Sequence, residues 1–133
     1  MTDFRDVTDN FSVSPQIALA DIPAVAVAGF TLIINNRPDG ESPGQPASAQ
    51  VEAAARAAGL DYLYAPVVGR PRPAQVAAVR GAVDASTGKV LAFCRSGTRS
   101  ICAWAMGQQD ARDTNELIRL GAEAGYDLSP VLG

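Results

Sequence analysis

Two periodicities divide the chain into strand-like and helix-like segments. Short apolar or alternating runs predict strands over residues 11–14, 30–35, 61–67 and 89–93. Apolar positions three or four residues apart predict helices over residues 19–29, 48–60, 74–86, 98–109 and 114–125, with Ser48 as an N-cap and Gly29 and Gly125 as helix ends. Strands therefore alternate with helices, which is typical of an α/β fold with a mainly parallel sheet of about four to five strands flanked by helices.

The loops that follow the strands predict where a ligand binds. In a parallel sheet, ligands bind beyond the carboxyl ends of the strands. Three loops leave such ends, over residues 35–46, 66–72 and 94–99, and we expect all three at one edge of the sheet. The first of them is rich in turn-forming residues and short enough to be a loop rather than a linker.

Composition narrows the possible classes of function. A length of 133 residues with an ordinary share of apolar residues predicts one globular domain over residues 1–133. The net charge of −3 disfavours a nucleic acid as partner, because binding to a phosphate backbone needs excess positive charge. The acidic start lacks a signal-peptide pattern and no apolar run is long enough to span a membrane, so we expect a cytoplasmic protein.

The chain contains two cysteines and no histidine. A structural zinc site needs about four cysteine or histidine ligands, so we expect no metal, and the chemistry below calls for no organic cofactor. The absence of histidine also excludes a Cys–His or Ser–His catalytic pair. A reactive cysteine in this chain must therefore be activated by other groups.

The segment from Cys94 to Ser100 supplies such groups where a predicted strand meets a predicted helix. Its backbone N–H groups surround a helix N-terminus, which attracts anions, and Gly97 permits the left-handed conformation that turns them inward. We expect Cys94 to act as a nucleophilic thiolate, stabilised by the positive end of the helix dipole and by a hydrogen bond from Ser100. Arg99 is expected to hold an oxyanion above the sulfur. The residues that complete the predicted anion site are Arg95, Ser96, Gly97 and Thr98.

The spacing within this loop resembles that of rhodanese-type sulfurtransferases. Four residues separate Cys94 from Arg99 in the pattern C-R-x-G-x-R, whereas tyrosine and dual-specificity phosphatases have five. Together with the stretches FSVSPQI, TLIINNRPDGESPGQP and VLAFCRSGTRSICAWAM, the loop resembles a small bacterial family of rhodanese-like or phosphatase-like domains, the beta-lactamase hydrolase-like proteins of DUF442 type. The resemblance covers roughly residues 4–110.

This resemblance implies a dual-specificity-phosphatase-like fold, with the cysteine loop between a central strand and a helix. It implies that Cys94 is the nucleophile and Arg99 the loop arginine. It also implies a functional partner, a metallo-β-lactamase-type persulfide dioxygenase.

Phosphatases of this fold place an aspartate on a neighbouring loop as a general acid, but the corresponding stretch APVVGRPRPAQ, residues 65–75, contains no acid. Arg70 and Arg72 in that loop either bind an anionic substrate or are solvated loop residues. Asp39, in the first loop, is either a turn residue, which is the favoured interpretation, or a substitute general acid.

The first loop also contains two candidates for a supporting role. Asn36 and Arg37, together with Asn35, either hold the cysteine loop by hydrogen bonds or serve only the local structure. The residues alone do not favour one of these interpretations.

These features predict a sulfurtransferase. The Cys94 thiolate would attack the outer sulfur of a small anionic donor, either thiosulfate or a low-molecular-weight persulfide. A thiol acceptor would then remove the sulfur from a Cys94 persulfide. Sulfite or a thiolate leaves readily, so this mechanism needs no general acid.

Two alternatives stay open. The first is a cysteine-dependent phosphatase that uses Cys94 through a phosphocysteine intermediate. The second is a redox-sensing or anion-binding module in which Cys94 is oxidised and Cys102 resolves it, although core packing is the favoured interpretation of Cys102. The tail over residues 126–133 either covers the sheet or docks on a partner.

Overall fold

The computed structural model describes residues 3–132 and has a five-stranded sheet at its centre. The strands, in chain order, are β1 (Arg5–Thr8), β2 (Phe11–Ser14), β3 (Phe30–Asn35), β4 (Asp61–Tyr64) and β5 (Lys89–Phe93). Their order across the sheet is β1-β2-β5-β3-β4. β1 pairs with β2 antiparallel, and all other neighbours are parallel. The predicted α/β fold with a mainly parallel sheet is confirmed.

Helices cover both faces of the sheet. They are α1 (Ile22–Val27), α2 (Ser48–Ala57), α3 (Pro73–Ala85), α4 (Thr98–Met106), α5 (Thr114–Glu123) and α6 (Ser129–Leu132). Residues of α1 and α2 belong to one hydrophobic core, and residues of α3 to α6 belong to the other. None of the helices described between residues 3 and 132 has the length and apolar character needed to cross a membrane.

The central strand, β5, is buried on both faces. Val90 and Ala92 pack into the core beneath α3 to α6, while Leu91 and Phe93 pack into the core beneath α1 and α2. This two-sided burial explains why the strand is apolar throughout rather than alternating. Leu91 and Phe93 are both fully buried, and each contributes about 1.5–3 kcal/mol to stability. β5 therefore holds the next residue, Cys94, in a rigid position.

The helix and strand ends agree with the prediction in part. Gly29 and Gly125, which both have positive φ, follow α1 and α5 as predicted. The first predicted helix is divided, because a 3-10 turn over Leu19–Asp21 precedes α1. β4 ends at Tyr64 rather than at residue 67, and α4 ends at Met106 rather than at residue 109.

The prediction of Ser48 as an N-cap is wrong. α2 begins at Ser48, and its N-cap residue is Ala47, whose backbone N–H donates to the Gln50 side chain at 2.9 Å. The carboxylate of Asp39 accepts a hydrogen bond from the Ser48 N–H at 2.8 Å, and the Ser48 hydroxyl pairs with that of Tyr62 at 2.6 Å. Because Asp39 lies nine residues upstream, the local pattern does not reveal this cap.

Two elements were not predicted. β1 has the sequence RDVT. Its charged residues suit an edge strand but do not give the apolar pattern by which strands are predicted. The C-terminal segment forms α6 and folds back onto the same molecule, where Leu128 and Leu132 are buried in the core beneath α4 and α5. Of the two alternatives for the tail, the structure therefore shows the one in which it covers the core.

Candidate active site

The three predicted loops meet at the carboxyl edge of the sheet. The Asn36 N–H donates to the Phe93 carbonyl at 2.8 Å, which joins the loop after β3 to the end of β5. The Val67 N–H donates to the Asn36 carbonyl at 2.9 Å, which joins the loop after β4 to the loop after β3. The segment after β2 is attached through the Gln16 N–H and the Arg95 carbonyl, 3.3 Å apart. The expected convergence of the loops is confirmed.

Cys94 lies where β5 ends and the cysteine loop, residues 94–99, begins. It is fully buried, and its Sγ accepts a hydrogen bond from the Gly97 N–H at 3.1 Å. Gly97 has a φ of +93° and is the N-cap residue of α4, so the predicted left-handed glycine is confirmed. The sulfur therefore lies at a helix N-terminus, where backbone N–H groups and the helix dipole favour negative charge.

The C-terminal segment supports the back of the cysteine loop. The Tyr126 hydroxyl donates a hydrogen bond to the Ser96 carbonyl at 2.8 Å. Burial raises the pKa of Tyr126, so the hydroxyl stays protonated and remains a donor at neutral pH. A Cβ atom at Gly97 would overlap this hydroxyl, so the glycine is needed for space as well as for its backbone conformation.

Arg99 is held by the carboxylate of Glu41. Its Nη1 and Nη2 donate to the two carboxylate oxygens at 2.7 and 2.9 Å, and Nη1 also donates to the Val67 carbonyl at 2.8 Å. The hydrogen bonds to Glu41 raise the pKa of Arg99, and the charge of the nearby Cys94 raises it further. In turn, the hydrogen bonds from Arg99 and Arg37 lower the pKa of Glu41 to about 2, so Glu41 is ionised at neutral pH.

This arrangement leaves one edge of the Arg99 guanidinium for a ligand. Arginine has five side-chain N–H groups. The two N–H groups of Nη1 donate to the Glu41 carboxylate and the Val67 carbonyl, and one N–H group of Nη2 donates to Glu41. The Nε–H and the second Nη2–H lie on the same edge of the planar group, and within residues 3–132 the neighbouring Cys94 is the one further group that interacts with the Arg99 guanidinium. They can therefore donate together to one oxyanion.

Arg37 fixes the other side of Glu41. It is 5% exposed, and its Nε, Nη1 and Nη2 donate to Glu41, Gln16 and Ser42, each at 3.0 Å. The Asn36 side chain donates to the Ala65 carbonyl at 2.8 Å and so connects the loops after β3 and β4. Within the described residues, none of these side-chain hydrogen bonds goes to the cysteine loop itself. Arg37 reaches that loop only indirectly, through Glu41, which binds Arg99.

The predicted hydrogen bond from Ser100 to Cys94 is absent. The Ser100 Oγ is buried and has no hydrogen-bond partner within the described residues. Ser100 lies in the first turn of α4, and the hydrogen bond that the Cys94 Sγ accepts comes from the Gly97 N–H instead. Ser96 and Thr98 are exposed, and their hydroxyls bind each other at 3.0 Å.

Both acids of the loop after β3 accept hydrogen bonds within the described residues. The carboxylate of Asp39 accepts a hydrogen bond from the Ser48 N–H. The backbone N–H of Asp39 donates to the Tyr64 hydroxyl at 2.9 Å. This agrees with the favoured interpretation of Asp39 as a structural residue. Glu41 is ionised and paired with two arginines. Within residues 3–132, Asp39 thus contacts the start of α2 and Glu41 contacts the arginines of the site.

The remaining candidates separate into edge and core residues. Arg70 and Arg72 line an open pocket of about 300 Å³ in the loop after β4, and Arg95 is exposed in the cysteine loop. Cys102 is 7% exposed within the core beneath α4, where burial raises the pKa of its thiol. Cys94 and Cys102 are both free, and core packing is the interpretation of Cys102 that the structure supports.

Sequence reasoning missed three residues of the site: Glu41, Gln16 and Tyr126. A signal for Glu41 was present, because it is an acid in a loop expected at the same edge as Arg99. Gln16 and Tyr126 carried none. They reach the site only because β2 lies beside β5 and because the C-terminal segment returns to α4.

Residues 3–111 match the family described as beta-lactamase hydrolase-like protein, phosphatase-like domain. The chain belongs to this family. It is 36% identical over 125 residues to the beta-lactamase hydrolase-like protein of Agrobacterium fabrum (strain C58). That alignment covers 92% of this chain and 29% of the Agrobacterium protein, so the chain spans less than a third of that relative's length.

Solved structures extend the likeness from sequence to fold. A candidate phosphatase from Neisseria meningitidis Z2491 is 30% identical with a TM-score of 0.84, and the superposition covers 96% of this chain and 92% of that one. Tk-PTP in its active form superposes with a TM-score of 0.76 at 16% identity, covering 95% of this chain and 87% of the other. The second match shows a shared fold.

Together these comparisons place the domain in the beta-lactamase hydrolase-like family, as its phosphatase-like domain, with the fold of cysteine phosphatases. The expected dual-specificity-phosphatase-like fold is confirmed. The comparisons give no support to a rhodanese-like or sulfurtransferase specificity. The phosphatase alternative agrees with them better than the sulfurtransferase prediction does.

Proposed function

We propose that this domain is a cysteine-dependent phosphatase that acts on phosphate monoesters with acidic leaving groups, of which aryl phosphates are the main class. The observation that carries the proposal is the position of the Cys94 Sγ, at the N-terminus of α4 and beside the free edge of Arg99. The family description and the 30%-identical candidate phosphatase support the same chemistry.

The reaction proceeds in two displacements at phosphorus. In the first, the Cys94 thiolate attacks, an S–P bond forms, and the bond to the ester oxygen breaks. The leaving oxygen keeps the electron pair and takes a proton from water. In the second, water attacks the phosphocysteine, the S–P bond breaks, and phosphate and one proton are released while Cys94 returns to the thiolate. The loop N–H groups and the Arg99 edge stabilise the phosphoryl oxygens in both steps.

The preference for acidic leaving groups follows from the missing general acid. Residues 66–72 contain no carboxyl group, Asp39 caps α2, and Glu41 is ionised. General acid catalysis typically contributes a factor of roughly 10²–10⁴ when the leaving group is a poor one. We therefore expect alkyl phosphates to react far more slowly than aryl phosphates.

Sulfur transfer is a second candidate, favoured by two specific observations. Four residues separate Cys94 from Arg99, which shortens the loop relative to a tyrosine-phosphatase pattern, and sulfite leaves without protonation. In this reaction, Cys94 would take the outer sulfur of thiosulfate or a persulfide and pass it to a thiol. The donor and acceptor, the persulfide dioxygenase partner and the cytoplasmic location all stay predictions.

One measurement tests both candidates, namely the intact mass of the protein after mixing with 4-nitrophenyl phosphate and, separately, with thiosulfate. Cys94→Ser is the test variant, and Cys102→Ser is the matched control because it removes the other thiol of the chain. We expect an acid-quenched phosphoryl adduct on the wild type and on Cys102→Ser but not on Cys94→Ser. Hydrolysis by Cys94→Ser should fall at least roughly a thousandfold.

Each of the other outcomes has a defined meaning. A gain of one sulfur atom from thiosulfate, without a phosphoryl adduct, would replace the phosphatase with the sulfurtransferase. An adduct that persists in Cys94→Ser would show that the nucleophile is wrongly assigned. No adduct from either reagent would contradict both candidates.

A further inference from the structure

Positive charge at the carboxyl edge of the sheet is not neutralised within residues 3–132. The chain contains eleven lysine and arginine residues. Lys89 lies over the Phe30 ring at the start of β5. Seven of the arginines form salt bridges within the described residues: Arg5, Arg37, Arg56, Arg80, Arg99, Arg112 and Arg119. The other three, which have no acidic partner there, are Arg70, Arg72 and Arg95, and all three belong to loops at the carboxyl edge.

Two of these arginines share a pocket. Arg70 and Arg72 line an open space of about 300 Å³ together with Pro66, Val68 and Gln75. Within residues 3–132, the Arg70 side chain makes one hydrogen bond, from Nη2 to the Val131 carbonyl at 3.3 Å, and the Arg72 side chain makes none. Most of their N–H groups are therefore available to a ligand.

The pocket adjoins the Cys94 site through one peptide segment. Arg99 Nη1 binds the carbonyl of Val67, the residue between two that line the pocket, Pro66 and Val68. Val68 is 79% exposed, which is unusual for a valine in a small domain. The pocket therefore lies next to the peptide segment that binds the Arg99 guanidinium.

We propose that the pocket between Arg70 and Arg72 is a second anion subsite, and that the substrate carries a second oxyanion, a carboxylate or a phosphate, besides the group that reacts at Cys94. The chain as a whole is negatively charged. Unpaired arginines concentrated at one edge nevertheless make that edge locally positive, and this positive charge attracts anions. Pro66 and Val68 would contact the apolar part of the substrate between its two anionic groups. The identity of the reacting group rests on the proposed function.

Three dipeptide substrates test the subsite. Each consists of N-acetylated phosphotyrosine followed by glutamine, glutamate or phosphoserine, with an amide at the C-terminus. Glutamine and glutamate differ only in charge, and phosphoserine distinguishes a phosphate subsite from a carboxylate subsite. Measurements of kcat and KM at low salt would compare the wild type with Arg70→Gln/Arg72→Gln. The control is Arg56→Gln/Arg119→Gln, which removes two exposed arginines outside the edge loops.

We expect the wild type to favour at least one anionic peptide over the glutamine peptide by roughly five- to tenfold in kcat/KM, mainly through KM. The preference should fall to about one in Arg70→Gln/Arg72→Gln and persist in the control. It should also weaken as salt is added. Equal kcat/KM values in the wild type, or a preference that survives in Arg70→Gln/Arg72→Gln, would overturn the subsite.

Failure of the proposed function gives a different result. If the wild type hydrolyses none of the three peptides, the phosphatase proposal is contradicted. The subsite is then tested separately, by calorimetric measurement of the binding of each peptide to Cys94→Ser. Tighter binding of an anionic peptide, lost when Arg70→Gln/Arg72→Gln is added, would keep the subsite. Equal binding of the three peptides, or no binding at all, would overturn it.

Discussion

Among the single residues of this site, Glu41 links the two paired arginines. Its carboxylate binds Arg99, which faces Cys94, and Arg37, whose side chain is 6% exposed. A nearly buried guanidinium needs a partner, because an unpaired buried charge costs about 3–5 kcal/mol. Glu41 therefore serves two purposes at once. It neutralises Arg37, and it fixes the plane of the Arg99 guanidinium so that only the Nε–Nη2 edge stays open.

The stability of the domain should depend on pH through Glu41. Its pKa is about 2 in the folded protein, against 4.5 without these partners. Because folding lowers the pKa, the stabilisation is complete above about pH 5 and is lost as the pH falls towards 2. The side chain keeps 28% of its surface exposed, so solvent screens the pairs and we expect a loss of about 1–2 kcal/mol.

Urea unfolding of the wild type and Glu41→Gln between pH 6 and pH 2.5 measures this effect. Glutamine cannot ionise, so the difference in unfolding free energy between the two proteins should shrink as the pH falls. A difference that stays constant over this range would show that the ion pairs do not stabilise the fold. The same variant frees the Arg99 guanidinium to rotate, so kcat should fall as well.

At the scale of secondary-structure elements, the strands and helices position the site by their ends. β2, β3, β4 and β5 run parallel, so the segments that follow them converge at one edge. The N-termini of α2 and α4 lie at the same edge: a loop side chain caps α2, and α4 begins directly after Gly97 of the cysteine loop. Asp39 belongs to this arrangement, because it accepts the first N–H of α2.

A pair of substitutions at Asp39 separates capping from acid catalysis. Asp39→Ala removes the acceptor for the Ser48 N–H and should cost about 1 kcal/mol in urea unfolding, whereas Asp39→Asn keeps an acceptor oxygen and should cost a few tenths. Both variants should keep kcat within about twofold, measured on an alkyl and an aryl phosphate. A hundredfold loss of alkyl phosphate hydrolysis in Asp39→Asn would instead identify Asp39 as the general acid.

At the scale of the whole molecule, the C-terminal segment joins the core to the cysteine loop. Leu128 and Leu132 attach the segment to the core, and Tyr126 binds the Ser96 carbonyl. Residues 126–132 lie beyond the family match, which ends at residue 111. The shape of the cysteine loop is therefore decided partly by a segment outside the matched region.

Removal of the Tyr126 hydroxyl should lower catalysis more than stability. Tyr126→Phe leaves the Ser96 carbonyl without its donor, which should cost about 1 kcal/mol in unfolding and lower kcat roughly tenfold with a smaller change in KM. Tyr64→Phe is the matched control, because its hydroxyl binds the Asp39 N–H rather than the cysteine loop. If the two variants lose kcat equally, the loss reflects general destabilisation and not positioning of the loop.

Local patterns in the sequence were enough to predict the alternation of strands and helices, the convergence of three loops, the buried strand before Cys94 and the left-handed Gly97. Each of these depends on hydrophobic period or backbone conformation over a few consecutive residues. β1 and the cap of α2 were not predictable in this way. β1 has a charged sequence, and the cap of α2 lies nine residues before the helix.

The tertiary structure alone decided how the site is held together. Arg99 pairs with Glu41 across 58 residues of chain, and Tyr126 binds Ser96 across 30. Such partners are chosen by the strand order β1-β2-β5-β3-β4 and by the return of the C-terminal segment, neither of which has a local signature. The sequence by itself therefore determined the candidate groups, Cys94 and Arg99, whereas the fold determined which N–H groups of Arg99 are taken by Glu41 and Val67.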